Sequence, residues 1–266
     1  MGSTFDDRDA VPLFQRSFAE RFKKQFVFRT KTFEITVNQQ ESCVSNPESV
    51  NQSAKESAKD DIEKVETDDD TQVDDPLGTF STVWDGAQAL AKLLANKNEC
   101  PISLERKSVL ELGSGTGLAG LSAAVCGARQ VFLTDLHDAL PLLKKNLMAN
   151  SFVLWGCEVK VEPLPWGVDG DDCLDKLPVH NVDVVLCADL VYRKEHTALL
   201  LHTLSRIIRA NPRVEILMAQ EKHEPIAWSL LLKGLREECW CDVEKWSRGD
   251  GWGNLEIVVV RPELNE

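Results

Sequence analysis

From residue 76 onward the apolar positions fall into two alternating rhythms. Short apolar runs, bounded by Gly, Asp, Asn or Pro, predict strands at 108–112, 130–134, 158–163, 182–187, 214–219, 240–246 and 255–260. Stretches with a period near 3.6 predict helices at 81–96, 118–126, 139–149, 195–210 and 225–238. On the first of these, Trp84, Ala87, Leu90, Ala91 and Leu94 share one face. Strands alternating with helices predict a parallel sheet covered by helices on both faces. Its ligands should lie beyond the carboxyl ends of the strands. The last two strands, joined by a Gly-rich turn at 248–254, predict an antiparallel hairpin.

The first 75 residues follow other patterns. Phe14, Phe18 and Phe22 stand four apart behind Pro12, which predicts a short helix at 11–24. Phe26 and Phe28, then Phe33, Ile35 and Val37, alternate with polar residues and predict a β-hairpin at 25–39. These two elements make an N-terminal extension, 1–40, expected to pack on the core. Residues 41–75 hold 12 acidic residues, three lysines and no aromatic. Such a stretch cannot bury enough surface to offset its ordering entropy, so a disordered insertion is expected. The remaining domain is 76–266.

Composition narrows the function classes. Most of the net charge of −13 sits in the 41–75 insertion. A basic face for duplex nucleic acid is therefore not expected. No run of 18 apolar residues and no secretory pattern occur, so no membrane association is expected and the compartment is cytoplasm or nucleus. The eight cysteines form no CxxC pair and the five histidines no HxxxH, so no metal site is expected and most cysteines should be reduced core residues.

The chemistry concentrates at 109–117, VLELGSGTG. A P-loop needs a Lys after its glycines, and none follows. A dinucleotide fingerprint counted from Gly113 needs a third glycine at 118, where Leu118 stands. The pattern from Glu111 to Gly117 is instead ExGxGxG, which suits S-adenosylmethionine. Gly113 and Gly115 would let the backbone approach the methionine end of that ligand. Glu111 would favour its ammonium or order a bridging water. Asp135, ending the next strand, could accept both ribose hydroxyls. Trp166, in LPWG, offers a flat face for a purine.

Together the segments FEITV at 33–37, STVWDGAQALAKLL at 81–94, VLELGSGTGLAGL at 109–121, VFLTD at 131–135, PLPWG at 163–167 and ADLVY at 188–192 resemble the methyltransferase-16 group. That group lies within the seven-β-strand class I methyltransferases and is dominated by protein lysine methyltransferases. The resemblance implies a Rossmann-like, mostly parallel seven-stranded sheet with S-adenosyl-L-methionine as cofactor. Trp84 matches the tryptophan that packs near the cofactor, and Gly113, Ser114 and Gly115 match the loop around its methionine part. Asp135 matches the ribose ligand, Trp166 the residue beside the adenine, and Ala188 a residue lining the pocket. Asp189 to Tyr192 matches the DxxY signature beside the methyl-transfer centre, which makes Asp189 and Tyr192 the catalytic candidates.

The function implied is methylation of a lysine side chain on a protein, with a basic protein as the expected partner and a monomer favoured. The competing readings are a small-molecule amine or RNA as acceptor, and a non-catalytic module that retains the fold. The segment QEKHEP after the strand at 214–219 carries no signature that would choose the substrate.

Overall fold

The computed structural model describes residues 24–39, 79–246 and 254–264. The helix expected at 11–24 and the acidic insertion at 41–75 lie outside the described residues, apart from Lys24. Strands β1 (Gln25–Arg29) and β2 (Glu34–Asn38) form the expected hairpin, antiparallel with Phe28 opposite Ile35. Next come α1 (Asp85–Ala95), β3 (Ser108–Leu112), α2 (Leu118–Val125), β4 (Gln130–Asp135), α3 (Leu140–Asn150) and β5 (Glu158–Pro163). A short helix α4 (Asp171–Leu174) precedes β6 (Val184–Ala188), α5 (Lys194–Ala210), β7 (Glu215–Glu221), α6 (Pro225–Glu237), β8 (Cys241–Trp246) and β9 (Leu255–Pro262).

The seven-stranded sheet runs β5-β4-β3-β6-β7-β9-β8. The first five strands are parallel, and β9 is antiparallel to both β7 and β8. The final hairpin therefore docks through its second strand, which inserts beside β7. The order reverses at β3, with β4 on one side and β6 on the other. That makes the end of β3 the topological switch point where open α/β sheets hold ligands.

Alternation along β3 divides the core. Val109 joins the layer under α1, α2, α3 and the hairpin; Leu110 and Leu112 join the layer under α5 and α6. The hairpin is tied to α3 by side-chain amides. Asn150 receives the Thr36 N–H at 2.9 Å and returns a bond to its carbonyl at 2.7 Å, while Asn146 receives the Asn38 N–H at 2.7 Å. Those reciprocal bonds satisfy one edge of β2. Among the described residues no helix is long and apolar enough to cross a membrane.

The helix expected to begin at residue 81 begins at Asp85, after a 3-10 turn at Thr79–Ser81. Trp84 is its N-cap with extended backbone, φ −82° and ψ 160°. The apolar period runs through Trp84, but the β-branched Thr82 and Val83 before it are poor helix formers. The strand expected at 182–187 begins at Val184. There Asp183 spends its carboxylate on the Ser108 N–H, at 2.8 Å, to align the start of β3.

Candidate active site

The chain leaves β3 at Leu112 and turns through Gly113, Gly115 and Gly117, at φ 57°, 53° and 83°. Left-handed backbone of this kind disfavours any side chain. Space forbids one as well. A Cβ on Gly113 would lie 2.7 Å from Leu190 Cδ2 and 2.9 Å from Trp166 Cζ2, and one on Gly115 would lie 3.1 Å from the Phe80 carbonyl oxygen. Ser114 stitches the loop to the neighbouring strand. Its N–H donates to the Thr134 carbonyl at 2.9 Å, and its Oγ accepts the Thr134 N–H at 3.0 Å. The Thr134 hydroxyl donates to the Glu111 carbonyl at 2.6 Å.

Asp135 ends β4 beside this loop. Its Oδ2 accepts the Gly115 N–H at 2.7 Å and its Oδ1 the Leu136 N–H at 2.7 Å. The carboxylate is thus half-buried, oriented by two backbone amides and joined directly to the glycine turn. An ionised acceptor held this way can still take hydroxyl donors on its remaining lone pairs.

Glu111 sits beneath the turn, 2 % exposed. Its carboxyl lies against Leu133 and Gly120, and a Cβ on Gly120 would collide with both. Glu111 Oε2 is buried with no hydrogen-bond partner among the described residues. Burial pushes its pKa up to about 8; Ser114 and the Gly120 backbone offset part of that, and nearby Asp135 adds to it. A protonated carboxyl under the loop can donate as well as accept.

The other half of the site is built on β6 and β7. Asp189 follows β6 in left-handed backbone, φ 53°, and is 8 % exposed. Both carboxylate oxygens are engaged: Oδ2 accepts the Gly86 N–H at 2.5 Å and Oδ1 the Glu221 N–H at 2.6 Å. Gly86 lies in the first turn of α1, whose N–H groups have no partner within the helix. Asp189 therefore caps that helix from across the fold. Burial raises its pKa to about 6; the Glu221 and Gly86 amides pull it down, Glu221 raises it and His223 lowers it.

Four further residues complete the site. Trp84 donates its indole N–H to the Thr79 carbonyl at 2.8 Å and meets the His223 ring edge-on at 6.4 Å. Trp166 is half-buried against Gly113 and Leu190, while Gly167 next to it donates its N–H to Thr203 Oγ1 at 2.9 Å. Tyr192 meets His196 edge-on at 5.4 Å. Ala188, half-buried, closes β6 opposite Ala219 of β7.

The structure thus bonds Gly115 directly to Asp135 and Ser114 to the adjoining Thr134, and brings Trp166 against Gly113. Asp189, through Gly86, connects β6 to the helix that Trp84 caps. Glu111 lies under the loop, packed against Gly120. Sequence reasoning missed Gly86, Thr134, Leu190 and Gln220. Gly86 had one local signal, a glycine two residues into a helix behind a tryptophan cap. Gln220 had none.

A family model described as lysine methyltransferase matches residues 68–229, more than half of the chain. The chain belongs to the lysine methyltransferase family. The family match takes in the glycine turn, Asp135, Trp166 and the Asp189–Tyr192 turn. Among relatives, the protein N-lysine methyltransferase METTL21A of Danio rerio is 38 % identical over 131 residues, covering 49 % of this chain and 56 % of that protein. EEF1A lysine methyltransferase 3 of Mus musculus is 37 % identical over 131 residues, covering 49 % of this chain and 52 % of that protein. The chain spans little more than half the length of either relative. A 16S rRNA methyltransferase of T. thermophilus, solved with AdoMet and guanosine, superposes with a TM-score of 0.51 at 15 % identity, covering 90 % of this chain and 50 % of that one. That likeness shows the class I methyltransferase fold that this family member shares.

Proposed function

We propose that the chain is an S-adenosyl-L-methionine-dependent methyltransferase that acts on the lysine side chain of a protein. The observation that carries this is the glycine turn bonded to Asp135, at the end of the same sheet as the Asp189–Tyr192 turn. Membership of the lysine methyltransferase family and the two protein-lysine methyltransferase relatives support the acceptor.

The residues fit this cofactor. Gly113, Ser114 and Gly115 would hold its methionine part, where any Cβ on either glycine would crowd the turn. Asp135, already aimed by two amides, would accept the ribose hydroxyls. Trp166 would flank the adenine, and Trp84 and Ala188 would line the pocket. The buried, unpartnered Glu111 Oε2 supplies a polar atom under the loop for the ammonium end or a bridging water. When bound, the cofactor supplies a methyl carbon already activated by its sulfonium.

The chain's task is then alignment. The lysine ammonium would give its proton to water, and its lone pair would take the methyl carbon that the cofactor supplies, the sulfonium leaving as a neutral thioether. The Asp189–Tyr192 turn would orient the amine in line with the departing sulfur. The acidic tract at 41–75 would steer a basic protein toward the site. Deleting it should slow substrate capture at low salt, and unchanged kinetics would reduce it to a spacer.

The test is methyl-lysine formation on protein by the purified chain, with Asp135→Ala as the cofactor-site control. Cofactor binding by calorimetry without any labelled protein would overturn the protein-lysine reading.

A further inference from the structure

The end of β7 carries no sequence signature, yet it holds the Asp189–Tyr192 turn. Gln220 is 2 % exposed and reaches that turn with both ends of its amide. Its Oε1 accepts the Val191 N–H at 2.9 Å. Its Nε2 donates to the Val191 carbonyl at 3.2 Å and to the Glu221 carbonyl at 2.8 Å. Both donors and one acceptor position are used, and a flipped amide would set donor against donor at Val191.

On either side of Gln220 the same strand grips Asp189. The Asp189 N–H donates to the Ala219 carbonyl at 2.9 Å, and Asp189 Oδ1 accepts the Glu221 N–H at 2.6 Å. Three successive residues of β7, Ala219 to Glu221, therefore bracket Asp189 and Val191. Leu190, between them, packs against Gly113 of the cofactor turn, and Tyr192 follows directly. Of the bonds to Val191, Gln220 alone supplies the side-chain ones among the described residues.

We propose that Gln220 is a positioning residue for methyl transfer. Its amide fixes the backbone of Val191, and so sets where Tyr192 and Leu190 stand relative to Gly113. This rests on the methyl-transfer reading above. In-line displacement tolerates little misplacement of the acceptor, and an error of 1 Å costs about 100-fold in rate. A residue buried behind the turn can thus act on the reaction without touching either reactant.

Gln220→Met keeps the length and bulk and removes every hydrogen bond. The expected result is a kcat lower by about 10- to 100-fold. KM for the protein substrate and cofactor Kd from calorimetry should stay within about threefold, since the ground-state contacts are untouched. Amide hydrogen exchange, followed by mass spectrometry, should quicken over residues 189–192 and remain as in wild type over β3. A purely structural role would lower Tm and leave kcat of the folded fraction intact. An unchanged kcat, or unchanged exchange over 189–192, overturns the proposal.

If Gln220→Met does not fold, Gln220→Glu is read in the same way. It keeps an acceptor for the Val191 N–H and loses both donors, and wild-type kcat in that variant would overturn the proposal. A wild-type chain that binds the cofactor but labels no lysine would refute the functional reading instead. Hydrogen exchange would then still decide whether Gln220 clamps the turn.

Discussion

Gly86 is the position where packing and chemistry are most tightly coupled. In a helix, Gly→Ala is intrinsically favourable by about 1 kcal/mol. At Gly86 the added Cβ would lie 2.7 Å from the Ala219 carbonyl oxygen and 2.7 Å from both Cγ and Oδ2 of Asp189. Ordinary contact is about 3.5 Å, so both contacts must open by about 0.8 Å. The Ala219 carbonyl belongs to β7 and already accepts the Asp189 N–H, so the first turn of α1 must lift from β7 while the Asp189 carboxylate is pushed aside. That stretches its bond to the Gly86 N–H, now 2.5 Å. Overpacking costs about 1–3 kcal/mol and weakening a charge-assisted bond about 1 kcal/mol more. These exceed the helix gain, so Gly86→Ala should destabilise by about 1–3 kcal/mol and lower Tm by about 3–8 °C. Displacing the Asp189 turn should also cut kcat by about 100-fold with the cofactor still bound. Thermal melts, calorimetry and single-turnover assays on the same preparation read all three quantities. A Gly86→Ala chain as stable as wild type, with full kcat, would refute the reasoning.

Asp135→Ala removes the charged acceptor beside the glycine turn and should weaken cofactor binding by about 10- to 100-fold in calorimetry. Asp189→Ala should abolish transfer, below about 1 % of wild type, while calorimetric cofactor affinity is largely spared; full retained activity would remove Asp189 from the site. Glu111→Gln tests the buried carboxyl through pH. The folded-state pKa of about 8 lies above the ordinary 4.5, so the native chain holds a proton that the unfolded chain releases. This group's contribution to stability is therefore present below about 4.5 and is lost as pH rises to about 8. Urea unfolding at pH 5 and pH 8, without cofactor, should show a smaller loss of stability in Glu111→Gln than in wild type.

What was legible in the sequence follows from how far each interaction reaches along the chain. Short apolar runs located β3 and β4, and alternation located β5, within a residue, because burial on both faces or on one is written into neighbouring positions. The glycine turn was legible for the same reason, since Gly113, Ser114 and Gly115 are contiguous and Asp135 follows by 20 residues. Gly86 and Asp189 meet across 103 residues, and Gln220 and Val191 across 29, so no local pattern records either pairing. The order of the last two strands was likewise hidden. A hairpin pattern says that β8 and β9 pair, and says nothing of which one borders β7. Trp84 was placed on the helix because its spacing fits, whereas its backbone is extended and caps that helix.

The most direct measurement is incubation of the purified chain with radiolabelled S-adenosylmethionine and methyl-depleted cell extract, beside Asp189→Ala. A labelled protein band with the wild-type chain alone, yielding methyl-lysine on hydrolysis, is the expected result. Equal labelling by both chains, or label only in small molecules or RNA, would contradict it.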